Sequence, residues 1–160
     1  METKYITNNP NQTKKLGEKF AKEILELKQR KTVVNQPRSC FLDGAFVIGL
    51  KGELGGGKTC FLQGFAKGLG VKEKILSPTF VVYKKFHVPC SMFHDFYHFD
   101  CYRIKDSKEI SDLGFKEIIS NPENIVAIEW SEKIKEVLPK NIKWISFYFI
   151  DKNSRAIDIF

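Results

Sequence analysis

Residues 52–59 read GELGGGKT, and this octapeptide constrains the chain more than anything else in it. It fits the spacing G-x-x-x-x-G-K-[ST]. The apolar, strand-like AFVIGL of residues 45–50 precedes it, and residues 60–69 follow with apolar side chains at helical spacing. A strand that ends in a glycine-rich turn can wrap its backbone N–H groups around an anionic phosphate, because Gly55, Gly56 and Gly57 carry no Cβ to forbid positive φ or a close approach. The helix that follows directs its partially positive N-terminus at the same phosphate. Lys58 then reaches the β- and γ-phosphates of a nucleotide, and the hydroxyl of Thr59 is the expected Mg²⁺ ligand. A turn that binds nothing would not need three consecutive glycines, each of which costs conformational entropy on folding.

The flanks of this unit decide the class of fold. Residues 11–27 place Leu16, Phe20, Ile24 and Leu27 at helical spacing among lysines and glutamates, which predicts an amphipathic helix. Residues 29–43 mix charge, Pro37 and a turn-like Asp43-Gly44, and read either as a short strand at 32–35 or as a loop. In the helix after the glycine loop, Phe61, Leu62, Phe65, Ala66 and Leu69 form an apolar face, with Gly68 and Gly70 as stop signals. Residues 79–83 and 95–99 read as strands, separated by a loop holding His87, Pro89 and Ser91. Asp106 with Glu109 resembles a capping box, opening a helix that breaks near Gly114 and resumes to Ile119.

The apolar run at 125–128, after Asn121-Pro122, suits a buried parallel strand. Ser131 reads as the N-cap of a short helix ending before Pro139. Residues 141–150 and 154–160, joined by Asp151-Lys152-Asn153, predict an antiparallel hairpin. The sum is a single α/β domain over residues 1–160, a mainly parallel sheet flanked by helices with antiparallel strands near the C-terminus.

A hydrophobic fraction of 42% and a charged fraction of 28% belong to a soluble globular chain. No membrane span or apolar leader core is visible, so a cytoplasmic location is expected. Cys40, Cys60, Cys90 and Cys101 form no C-x-x-C pair and read as reduced cysteines that partly fill the core. The net charge of +7 has two readings, steering toward a polyanion such as RNA or a lysine-rich solvated surface.

Hydrolysis of a nucleotide needs a held Mg²⁺ and an oriented water, which calls for carboxylates at the carboxyl ends of strands beside the phosphate loop. Glu129, directly after residues 125–128, and Asp100, after the strand-like 96–99, are the candidates. His94 and His98 sit near Asp95 and Asp100, but spread along one strand they read as core or surface histidines and not as a metal cluster. Ser77-Pro78-Thr79-Phe80 lies where a nucleotide-sensing loop would, with Thr79 in reach of a γ-phosphate or its water. Trp130 and Trp144 read as packing residues. No N-K-x-D or D-x-x-G follows the loop, so adenine is expected in place of guanine.

These residues together resemble the bacterial ATPase family TsaE, also called YjeE. The ordered set is residues 52–59, then Ser77-Pro78-Thr79-Phe80, then His98-Phe99-Asp100-Cys101-Tyr102-Arg103, then Leu113-Gly114, then Ile128-Glu129-Trp130. The P-loop is shared with many ATPases, whereas the S-P-T, H-x-D-x-Y-R and I-E-W elements in this order are specific. The resemblance implies that ATP and Mg²⁺ are bound. Lys58 with the loop amides of Gly52, Glu53, Leu54, Gly55, Gly56, Gly57, Thr59 and Cys60 would hold the phosphates. Thr59 and Glu129, with Asp100, would serve the metal, and Asp100 would be needed for hydrolysis.

It further implies an adenine or ribose contact from Thr13 and one from Arg155. The implied partners are the TsaD and TsaB proteins, whose complex makes N6-threonylcarbamoyladenosine in tRNA, so that tRNA is met only through that complex. Glu53, Cys60 and Cys101 depart from the residues common in the family, and the stretch around Pro37 is longer than usual. Two other readings of the residues stand beside this one: a P-loop kinase of a small metabolite, and a nucleotide-gated binding module without turnover.

Overall fold

Seven strands form one mixed sheet in the computed structural model, which describes residues 3–33, 44–78, 81–89 and 92–160, with 31–33 as backbone only. In chain order the elements are β1 (Thr3–Thr7), α1 (Pro10–Val33), β2 (Phe46–Lys51), α2 (Lys58–Gly68), β3 (Tyr83–His87) and β4 (Asp95–Asp100). After these come α3 (Ser107–Ser111), α4 (Phe115–Ser120), β5 (Asn124–Glu129), a 3-10 segment (Ser131–Val137), β6 (Lys143–Phe149) and β7 (Arg155–Ile159). The sheet order is β1-β7-β6-β2-β5-β4-β3. β6, β2, β5 and β4 run parallel, and β7, β1 and β3 join antiparallel at the edges. The expected α/β class with its parallel centre and C-terminal hairpin is therefore observed.

β5 is buried at every position and β2 at all but its last, as continuous apolar runs covered on both faces should be. Alternate residues feed two cores. Ile48, Leu50, Ile125, Ala127 and Phe96 pack under α1 and α2, whereas Val47, Val126, Ile128 and Phe99 pack under α3, α4 and the 3-10 segment. Asp106 caps α3 by accepting from the Lys108 N–H while Glu109 accepts from the Asp106 N–H, which bears out the capping box. The break falls at Gly114.

Several expectations are corrected by packing. The buried line of α1 is Thr13, Gly17, Ala21 and Ile24, with Leu16 and Phe20 at its flank and Leu27 exposed. The reason is the closeness of α2. A Cβ on Gly64 would lie 1.8 Å from the carbonyl oxygen of Lys14, and one on Gly17 would lie 2.2 Å from that of Phe61. Gly68 also belongs to this contact and is not a stop signal. The stop is Gly70, whose N–H bonds the Lys67 carbonyl while Val71 N–H bonds that of Ala66.

β1 escaped the sequence reading because a five-residue edge strand with three exposed positions carries little hydrophobic signal. β3 starts at Tyr83, where the expected strand ended, and it includes His87; its YKKFH pattern buries only Phe86. Residues 32 and 33 continue α1 in place of a strand, and 34–43, with Pro37 and Cys40, lie outside the described residues, as do Thr79, Phe80, Cys90 and Ser91.

Candidate nucleotide site

Because β2, β5 and β4 are parallel neighbours, their carboxyl ends meet at one edge of the sheet. Leu50 pairs with Glu129, and Glu129 pairs with Asp100. The glycine loop leaves β2 at that edge and enters α2 through Gly57, which has φ 100° and so suits a residue without a Cβ. Loop, carboxylates and flanking side chains enclose a cavity of about 560 Å³ lined by residues 54–60, Ser77, Pro78, Val81, Val82, Asp100, Tyr102, Arg103, Ile104, Glu129 and Trp130.

The Lys58 side chain is buried at the base of this cavity. Its Nζ donates to the carbonyls of Gly52 (2.6 Å) and Glu53 (2.8 Å) and stands 4.0 Å from the centre of the Trp130 ring. Burial pushes the ammonium below the ordinary lysine range, and the negative charges of Glu129, Glu132 and Asp100 work against that shift. Thr59 Oγ1 donates to both oxygens of Glu129, at 2.8 and 3.0 Å. Asp100 accepts from the Ser77 hydroxyl and, at 3.0 Å, from the Tyr102 N–H, so both its oxygens are engaged. These four residues, Lys58, Thr59, Asp100 and Glu129, are brought together as the sequence implied.

Thr13 and Arg155 stand behind the loop. A Cβ on Gly57 would lie 3.7 Å from Thr13 Cγ2 and 3.8 Å from Arg155 Cγ. The Thr13 hydroxyl is paired with that of Thr7 at 2.8 Å, and Arg155 donates through Nη2 to the Gly55 carbonyl at 2.9 Å. Cys60 lines the cavity with its thiol on the Pro10 carbonyl, and burial pushes that thiol up. Thr79 lies outside the described residues.

Three residues of the site were not read as such. His98 is fully buried, as a core histidine would be, and its Nε2 lies 2.9 Å from Glu129 Oε1, which ties it to the site as well. Trp130 is a site residue rather than packing alone: it lies under Lys58, packs against Tyr102 with the rings 5.1 Å apart and tilted by 51°, and takes the left-handed backbone, φ 59° and ψ 36°. Ser131, expected to cap a helix, donates instead to the Leu50 carbonyl at 3.3 Å and ties the ends of β5 and β2 together. The period-two rule did put His98 and Asp100 on one face. That β5 lies beside that face was not legible without the strand order.

A family model described as threonylcarbamoyl adenosine biosynthesis protein TsaE matches residues 7–157. The chain belongs to the TsaE family. TsaE of Haemophilus influenzae is 32% identical over 157 residues, 98% of this chain and 87% of that relative. TsaE of Treponema pallidum is 34% identical over 118 residues, 74% of this chain and 84% of the relative. The crystal structure of Bacillus subtilis YdiB superposes with a TM-score of 0.71 at 26% identity, covering 99% of this chain and 84% of that one. Membership in the TsaE family places the chain among proteins named for tRNA threonylcarbamoyladenosine biosynthesis, with a nucleotide-binding loop of the P-loop type.

Proposed function

We propose that this chain is a Mg²⁺-dependent ATPase that acts with a TsaD and TsaB complex in the N6-threonylcarbamoyladenosine modification of tRNA, as an accessory motor and not as the transferase. The observation that carries the reading is the meeting of the Thr59 hydroxyl with the Glu129 carboxylate within 3.0 Å, in a cavity that also holds Lys58 and Asp100.

The donor set fits magnesium. A hydroxyl and a carboxylate are hard oxygen ligands, and an ion that keeps several waters and shares the phosphates needs only one or two protein groups. Among the described residues no cluster of three or more acids, histidines or cysteines offers a cage for another metal. Thr59 and Glu129 would hold the ion, which when bound neutralises charge that gathers on the phosphate oxygens.

The chain's own groups account for the rest. Gly57 and its neighbours present backbone N–H groups to the phosphates, and Lys58 exchanges two carbonyl partners for phosphate oxygens, an exchange of neutral acceptors for anionic ones. Asp100, held by Ser77 and Tyr102, would orient a water for in-line attack. Among the described residues no helix is long and apolar enough to cross a membrane.

The test is phosphate release from ATP by the purified protein, alone and with a TsaD–TsaB complex, for wild type and Glu129→Gln. The variant should turn over roughly 100-fold more slowly, the scale of losing one electrostatic stabiliser. Absence of Mg-ATP binding by calorimetry under both conditions would overturn the reading.

A further inference from the structure

We propose that His98 is a positioning residue that, through its single hydrogen bond to Glu129, fixes how Thr59 presents its hydroxyl to a metal. The inference rests on the reading of Thr59 and Glu129 as the magnesium donors.

His98 pairs across the sheet with Ala127, and Glu129 lies two residues further along β5, so imidazole and carboxylate rise from the same face of adjacent strands. Nε2 is 2.9 Å from Oε1, with the two side chains 0% and 4% exposed. A carboxylate so enclosed must find its donors inside the protein, and among the described side chains these are Thr59 and His98.

A hydroxyl has one hydrogen and two lone pairs. Thr59 gives its hydrogen to Glu129, which turns its lone pairs away from the carboxylate, toward the cavity. The direction of that hydrogen is set by the plane of the carboxylate, and His98 pins one corner of that plane. Orientation therefore passes from His98 to Glu129 to Thr59.

The ring is committed to this task. Facing a carboxylate oxygen, Nε2 is the donor, and a neutral ring then leaves Nδ1 as a bare lone pair. Nδ1 is buried and has no hydrogen-bond partner among the described residues. An apolar side chain would fill the same space without burying that nitrogen, so packing alone gives no reason for a histidine here.

The readout is the Mg²⁺-dependent strengthening of ADP binding, measured by calorimetry on the full chain with metal-free ADP as reference. Loss of a residue that orients a metal donor typically weakens metal affinity about tenfold or more, so His98→Leu should lose about that much of the Mg²⁺ effect while metal-free ADP affinity stays within about twofold. His98→Gln, whose amide nitrogen reaches the Nε2 position, should recover most of it, and His98→Asn, whose amide falls short, should not.

A wild-type Mg²⁺ response in His98→Leu overturns the proposal. If that variant does not fold, equal responses of the Gln and Asn variants overturn it. Glu129→Gln separates the two levels. If it leaves the Mg²⁺ effect intact, the metal reading fails and this inference with it; if it abolishes the effect while His98→Leu does not, the inference alone fails.

Discussion

Lys58 keeps its charge in a place that disfavours it, compensated by two backbone carbonyls and an indole face. Lys58→Ala should weaken nucleotide binding about 10–100-fold, the value of a charge-assisted hydrogen bond or two, as read by calorimetry. Burial lowers the ammonium's pKa below its unfolded value. Between those two values the unfolded chain binds more protons, so this residue makes stability rise with pH there. A phosphate stabilises the charged form, so binding takes up a proton and affinity falls as pH climbs through the lowered pKa. Titrations on the alkaline side, at pH values below the ordinary lysine range, in buffers of different ionisation enthalpy should detect that uptake, and Lys58→Ala should abolish it. Cys101, its thiol pushed up to about 12 by burial and then by the charge of Asp100, should resist alkylating reagents in the native protein and react once it unfolds. Lys58, Thr59, Asp100 and Glu129 were legible because each is fixed by chain proximity to a glycine loop or a strand end. His98, Trp130 and Ser131 act across strands, and only the sheet order tells which strand they face.

α1 and α2 touch through backbone, with glycine where other helix pairs interleave side chains. Gly64→Ala would drive a methyl into the Lys14 carbonyl. It should destabilise by the upper end of the roughly 1–3 kcal/mol that overpacking costs, visible as a lower urea midpoint. Asp106→Ala removes a capping box from a five-residue helix and should cost about 1 kcal/mol in the same assay. Elements with strong local patterns were readable: β2, α2, β5 and the β6–β7 hairpin. The errors fell where tertiary contact overrides local signal. Leu27 has the right spacing and stays exposed, because the true contact face is the narrow line of Thr13, Gly17 and Ala21. Edge strands β1 and β3 carry alternation too weak to mark their limits.

At the scale of the molecule, the site draws on the centre of the sheet, so occupancy should stabilise the whole fold. Mg²⁺ with a non-hydrolysable ATP analogue at 100 times its dissociation constant should add about 2.7 kcal/mol, raising Tm by about 5–10 °C, and at the same concentration Lys58→Ala, with its weaker binding, should keep only about 0.4–1.4 kcal/mol of that gain. The surplus of positive charge is spread over many elements. Part of it is paired, as in Lys22 and Lys67 with Glu18 and Lys85 with Asp95, in surface contacts that each contribute little. The chain has two tryptophans, and each indole carries a lysine ammonium on its face, Lys51 at 3.6 Å over Trp144 and Lys58 at 4.0 Å over Trp130. On the proposed function, only the second of these ammoniums would move when phosphates bind. With Trp144 replaced by phenylalanine, the remaining fluorophore would report the filling and emptying of the pocket in real time, with no label added.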